Sequence, residues 1–146
     1  MLSGQGAAGA GITMGVMATL VHGIDLVEVE RIATLEREHA ERFVGRIYTQ
    51  GELAYADARP KRRHEHLAGR FAIKEAVLKA LGTGWSGGIR WTDVEVVSAT
   101  TGRPTLTLRG EAERRARELG VRHWEISISH AAGLAIGSAV GLADAS

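Results

Sequence analysis

The chain has 146 residues, of which 18 are basic and 17 acidic, and it contains no cysteine. That length supports one domain with a real core, and the near-balanced charge removes any global drive toward nucleic acid or an anionic membrane. Lack of cysteine excludes disulfides, thiolate-bound zinc and thiol catalysis, and it fits a reducing cytoplasm, which is the expected compartment.

Residues 1–18 are mostly Gly, Ala, Ser and Met, with no basic start ahead of a weakly apolar stretch, so neither a secretory signal nor a transit peptide is supported. A flexible leader is predicted there, with the domain over 19–146. No apolar run approaches membrane-spanning length. Thr19–Val29, TLVHGIDLVEV, is apolar and β-branched and predicts a buried strand passing into a helix. Asp25 is the anomaly in it. Two readings stay open: Asp25 caps the following helix, or it faces a cation or metal ion.

Glu28–Arg46 carries Ile32, Leu35 and Phe43 at helical spacing and predicts two short helices or one bent one. Arg31, Arg37, Arg42 and Arg46 are interleaved with glutamates, the usual pattern of a solvated helix surface. Thr49-Gln50-Gly51-Glu52 has capping-box spacing and opens a short helix that ends before Pro60. Lys61, Arg62, Arg63 and His64 follow as a compact cationic run. Cations at a helix start oppose the helix dipole, so a bound anion would account for them better than solvent does.

Leu67–Gly84, LAGRFAIKEAVLKALGTG, is the longest helix-forming run. Leu67, Phe71, Leu78 and Leu81 make one apolar stripe, while Ala68, Ala72, Ala76 and Ala80 keep the other flank small enough for close packing. Arg70, Lys74, Glu75 and Lys79 share those turns. In the plainest reading Lys74 and Lys79 snorkel, Glu75 pairs with Lys79 or Arg70, and Gly82 caps the helix.

Trp91–Val97 and Arg103–Leu108 alternate around SATTG and predict a β-hairpin. Glu111–Leu119 predicts an exposed helix; Trp124–Ser129 and Leu134–Val140 predict strands joined by a turn at His130-Ala131-Ala132-Gly133, with His130 at its tip. The order implies an α+β fold, an antiparallel sheet packed on a long central helix, whose edges a dimer or trimer would cover.

Asp25 and Glu75 are carboxylates in otherwise apolar elements, and two hard oxygen ligands suit Mg²⁺ held jointly with a substrate phosphate. Lys61, Arg62, Arg70 and Lys79 supply charge for more than one phosphate group. No P-loop, dinucleotide fingerprint or G-x-S-x-G elbow is present. If a phosphoryl-type group moves, the nucleophile belongs to the second substrate.

GIDLVEVERI (Gly23–Ile32), LAGRFAIKEAVLKALGTG (Leu67–Gly84) and ISISH (Ile126–His130) together resemble the holo-acyl-carrier-protein synthases, the small class of 4′-phosphopantetheinyl transferases. The resemblance runs from about Val21 to about Leu142, with the three motifs in family order and spacing. It implies Mg²⁺-dependent transfer of phosphopantetheine from coenzyme A to a serine of apo-acyl carrier protein, releasing adenosine 3′,5′-bisphosphate. It also implies that Asp25 and Glu75 hold the metal, that Glu75 takes the serine proton directly or through a metal-bound water, and that Lys79 stabilises or protonates the leaving diphosphate oxygen. Lys61, Arg62, Arg70 and His130 would contact phosphates and adenine, and Gly82, Thr83 and Gly84 would line the nucleotide. Family members are homotrimers with sites between subunits, and their acidic carrier docks on a basic first helix, here Arg31, Arg42 and Arg46. The alternative is a catalytically silent trimeric module that binds nucleotide or an acidic partner.

Overall fold

The computed structural model describes residues 19–143; the predicted leader and the last three residues lie outside them. The chain begins with strand β1 (Thr19–Glu28), runs into helix α1 (Val29–Ile47), then a short helix α2 (Gln50–Asp57) and a 3₁₀ turn over Pro60–Arg62. The long helix α3 (Arg63–Leu81) follows, then a second 3₁₀ turn (Trp91–Asp93) and the hairpin β2 (Val94–Ser98) and β3 (Pro104–Leu108). Helix α4 (Gly110–Glu118) leads into β4 (Val121–Ala131) and β5 (Leu134–Ala143).

The strands form an antiparallel sheet in the order β1-β5-β4, and β2-β3 pair apart from it. The fold is α+β, as expected, but the single sheet divides in two. On the edge of β2 turned away from β3, Val96 N–H donates to the buried Glu52 Oε2 at 3.0 Å, so a side chain closes that edge.

β1 alternates strictly. Gly23, Asp25 and Val27 face inward, whereas Leu20, Ile24 and Leu26 point outward and are 64%, 53% and 56% exposed. The strand is therefore half-buried rather than buried. Asp25 sits inside it, opposite Gly137, and is not the helix cap; Glu28 occupies that position. This resolves the oddity of an acid between Ile24 and Leu26, because its neighbours look the other way.

Helix α3 is buried nearly all round. Ile73, Val77, Leu78 and Leu81 join Val94, Val96, Ala112, Val121 and Ile126 in one core cluster. Leu67, Ala68, Phe71 and Ala72 join Val27, Ile32, Ile47 and Tyr48 in another. The sheet rests on the alanine flank with glycine against it: a Cβ at Gly23 would lie 1.7 Å from Ala76 O, and one at Gly137 would lie 2.6 Å from Ala72 C. No side chain fits between them, so strand and helix backbones meet directly. That contact fixes Asp25 against α3.

Several expectations need correction. α3 starts at Arg63 rather than Leu67, because the cationic run divides between the 3₁₀ turn and the helix itself. α1 is broken at Ala40, whose backbone (φ 34, ψ −117) leaves the helical region, which realises the predicted bend. Trp91 begins a 3₁₀ turn instead of a strand, since Asp93 N–H closes back on Arg90 O at 3.0 Å. His130 lies within β4, paired with Ala135, and the turn is made by Ala132 and Gly133 at φ 52 and 77. The capping box at Thr49 and Glu52 forms as read.

Lys74 does not snorkel. It is 0% exposed, and its Nζ lies 2.8 Å from Glu52 Oε1, which is equally buried. The ammonium also donates to Trp91 O at 3.1 Å and to Val94 O. Burial pushes the Lys74 amine down from its ordinary value and the Glu52 carboxylate opposes that push. Three elements, α2, α3 and the entry to β2, are tied by this one charge.

Candidate active site

The predicted site residues occupy two regions on α3. Lys79 and Glu75 are one turn apart, and Lys79 Nζ crosses to β1, donating to Asp25 Oδ1 at 3.1 Å and to Ile24 O at 2.9 Å. Lys79 is thus brought to Asp25 rather than to Glu75, which lies one turn earlier on the same helix. Glu75 is held instead by Trp85, whose Nε1–H donates to its Oε1 at 3.3 Å. Trp85 is a site residue the sequence did not single out; its position directly after Gly82-Thr83-Gly84 was the available signal.

Among the described residues each carboxylate is engaged by one side-chain donor, and an ionised carboxylate has about four lone-pair positions, so both keep capacity to bind a cation. Among the described residues no group of three or more His, Cys, Asp or Glu gathers as a metal cage. Two carboxylates with the remaining positions left to water and phosphate oxygens is the donor set that Mg²⁺ favours. These residues fit that ion.

Gly82 ends α3 in the left-handed conformation at φ 73, and Gly84 also has positive φ. A Cβ at either would meet nothing within 4 Å, so the segment Gly82-Thr83-Gly84 is open on its outer side beside Glu75 and Lys79.

The second region lies toward the start of α3. Arg70 is 3% exposed; its Nη2 donates to Ser98 Oγ at 3.1 Å and its guanidinium stacks 4.1 Å over the Tyr55 ring. Its Nε is buried and has no hydrogen-bond partner among the described residues. Burial pulls the Arg70 guanidinium below arginine's ordinary value, with Glu52 and Tyr55 resisting. His130 Nε2 lies 2.8 Å from Glu65 O, and because a carbonyl only accepts, that nitrogen carries the proton. His66 and Gly69 complete the wall of a cavity of about 170 Å³ shared by Arg70 and His130. Burial, then the charges of Arg70, Arg62 and Arg59, holds the His66 imidazole below its ordinary value. Tyr55, His66 and Ser98 come from three separate elements, and nothing in their local sequence marks them.

The cationic run is only partly free. Arg63 donates to Asp57 Oδ1 at 2.9 Å and to Glu36, so it clamps α1 and α2 to the start of α3. His64 also lies 2.9 Å from Glu36 Oε1. Arg62 pairs with Glu65 at 2.7 Å on the surface, beside a small cavity that His130 also lines. Lys61 is exposed in the 3₁₀ turn.

Arg70 and Lys79 are nine residues apart, about 13.5 Å along the axis and half a revolution round it. The carboxylate region and the basic cavity therefore open on opposite sides of the same helix. One chain does not bring them together.

A family model described as the 4′-phosphopantetheinyl transferase superfamily matches residues 22–137. The holo-[acyl-carrier-protein] synthase of Solibacter usitatus is 49% identical over 112 residues, 77% of this chain and 89% of that protein. The one from Koribacter versatilis is 44% identical over 118 residues, 81% of this chain and 94% of its own. Among solved structures, Helicobacter pylori holo-[acyl-carrier-protein] synthase in complex with coenzyme A superposes with a TM-score of 0.72 at 28% identity, covering 82% of this chain and 98% of that one. Fold, motif order and these likenesses agree: the chain belongs to the 4′-phosphopantetheinyl transferase superfamily, among the holo-acyl-carrier-protein synthases.

Proposed function

We propose that this chain transfers 4′-phosphopantetheine from coenzyme A to a serine of apo-acyl carrier protein, with Mg²⁺ held by Asp25 and Glu75. The observation that carries the reading is the bond of Lys79 to Asp25 across the β1–α3 contact, one helical turn from Glu75. The bound ion would neutralise the coenzyme A diphosphate and polarise the phosphorus under attack. Glu75 accepts the serine proton as the serine oxygen bonds to the pantetheine-side phosphorus. The bond from that phosphorus to the bridging oxygen breaks, and the adenosine 3′,5′-bisphosphate leaves with the electron pair. Lys79 swings from Asp25 to the departing oxygen, whose charge it offsets.

Arg70 and His130, with Lys61 and Arg62 nearby, hold the nucleotide phosphates and adenine, and Gly82-Thr83-Gly84 lies along it. Because these groups and the carboxylates face opposite sides of α3, a complete site takes its two parts from neighbouring copies in a homotrimer. The outward apolar side chains Leu20, Ile24, Leu26 and Ile136 supply a surface for that assembly. The acidic carrier docks on α1, where Arg42 and Arg46 flank Phe43 in a shallow pocket and Arg31 lies about three turns earlier, before the break at Ala40. The setting is the cytoplasm; no helix among the described residues is long and apolar enough to cross a membrane.

Release of adenosine bisphosphate tests the reading. It is expected only when coenzyme A, Mg²⁺ and apo-carrier are all present; release without carrier would make the protein a hydrolase, and no release would remove the enzymatic reading. Mixing inactive Glu75→Gln and inactive Arg70→Ala protomers should restore roughly one site in four in a randomly assembled trimer. Recovery of nothing would place both halves of the site in one chain.

A further inference from the structure

Trp85 stands where the function just described needs a fixed carboxylate but the chain offers little to fix it. It lies in a connector whose Gly84, Gly87 and Gly88 all have positive φ, at 57°, 73° and 81°. Such a segment has unusual backbone freedom and would not by itself aim an indole. Side-chain packing does it instead. The Trp85 ring lies 3.6 Å from that of Trp91, tilted by 34°, and Trp91 stacks in turn on Phe71 at 5.0 Å and 24°. Phe71 belongs to α3, one turn before Glu75.

The platform is anchored from beneath. Lys74, next in sequence to Glu75 and wholly buried, donates to the carbonyl of Trp91 at 3.1 Å and is held by Glu52. The aromatic stack is therefore tied to the same helix that carries Glu75, on the residue immediately before it. With the ring so held, Nε1–H meets Glu75 Oε1 at 3.3 Å. An indole nitrogen is a donor only and cannot ligate a metal ion.

We propose that Trp85 is a positioning residue for Glu75: its indole N–H occupies one oxygen of the carboxylate and sets the orientation in which the other meets a divalent cation. This rests on the assignment of Glu75 as a metal ligand. The role belongs to the N–H group, and the Trp91–Phe71 platform serves to hold it in place. Outer donors of this kind are worth roughly 10–100-fold in metal affinity, and the length of this bond argues for the lower end, about tenfold.

The test uses the full-length protein with saturating coenzyme A and reads Mn²⁺ binding by the electron paramagnetic resonance signal of the free ion. Position 85 is wild type, Trp85→Phe, or the benzothienyl isostere of tryptophan, which keeps the shape and the stack and lacks the N–H. Both replacements should weaken Mn²⁺ binding about tenfold, with the KM for carrier protein unchanged and the isostere's urea midpoint at the wild-type value. An isostere that binds Mn²⁺ as tightly as wild type overturns the proposal and reduces Trp85 to packing. Failure of the wild-type protein itself to bind Mn²⁺ overturns the metal assignment on which it rests, a result distinguishable from the first.

Discussion

Glu75→Gln lowers the turnover number by about 10²–10⁴-fold, the range attached to a positioned general base, and leaves the fold intact. The side chain is half-buried, its one hydrogen bond among the described residues comes from Trp85, and glutamine still offers an oxygen to that indole. Stability should thus hold while the proton acceptor and one negative metal ligand are both removed. Steady-state kinetics with a urea unfolding curve on the same sample checks both parts. A variant within threefold of wild type would mean that Glu75 neither takes the serine proton nor holds the ion. One that is inactive because it is unfolded would locate its role in packing.

Lys74→Met has the largest expected effect on stability. The substitution conserves length and hydrophobic volume but strands the Glu52 carboxylate in a site with no solvent contact. Breaking a buried pair from one side costs about 3–5 kcal/mol, because the remaining charge is desolvated without a partner. The loss of two hydrogen bonds to Trp91 O and Val94 O acts in the same direction. Adding Glu52→Gln should recover more than half of the loss, since the amide oxygen still caps α2 or accepts from Val96 N–H without carrying charge. Chemical denaturation of the four proteins closes this double-mutant cycle. Near-additive losses would show that the pair does not act as a unit.

Lys74 also shows where sequence reading stops. Its partner is 22 residues away on another helix, and from its own turns alone snorkelling was the plainer reading. Local periodicity identified α3 and its alanine packing face, because 3.6-residue spacing is a property of the chain itself. It did not identify which charge was buried, because that depends on what crosses the helix. Asp25 was legible as an anomaly, and only the pairing of β1 with β5 separated its inward side from the outward Ile24 and Leu26. His130 was displaced from the turn because the alternation of ISISH continues one residue further and Ala132 accepts positive φ beside Gly133. The motifs located Glu75, Lys79 and Arg70, but the opposition of the last two across α3 emerges only when nine residues are wound on a helix. Tyr55 carried no local signature and Trp85 only its place after Gly82-Thr83-Gly84, since a ring's value as donor or platform is set by the partner that folding brings to it.

Intact-mass measurement of the carrier is the most direct test of the central claim. Apo-acyl carrier protein incubated with this protein, coenzyme A and Mg²⁺ should gain the mass of one phosphopantetheinyl group, at its acceptor serine, and should gain nothing in excess EDTA or when that serine is alanine. A carrier of unchanged mass across a range of apo-carriers, with the protein folded and metal present, would contradict the account.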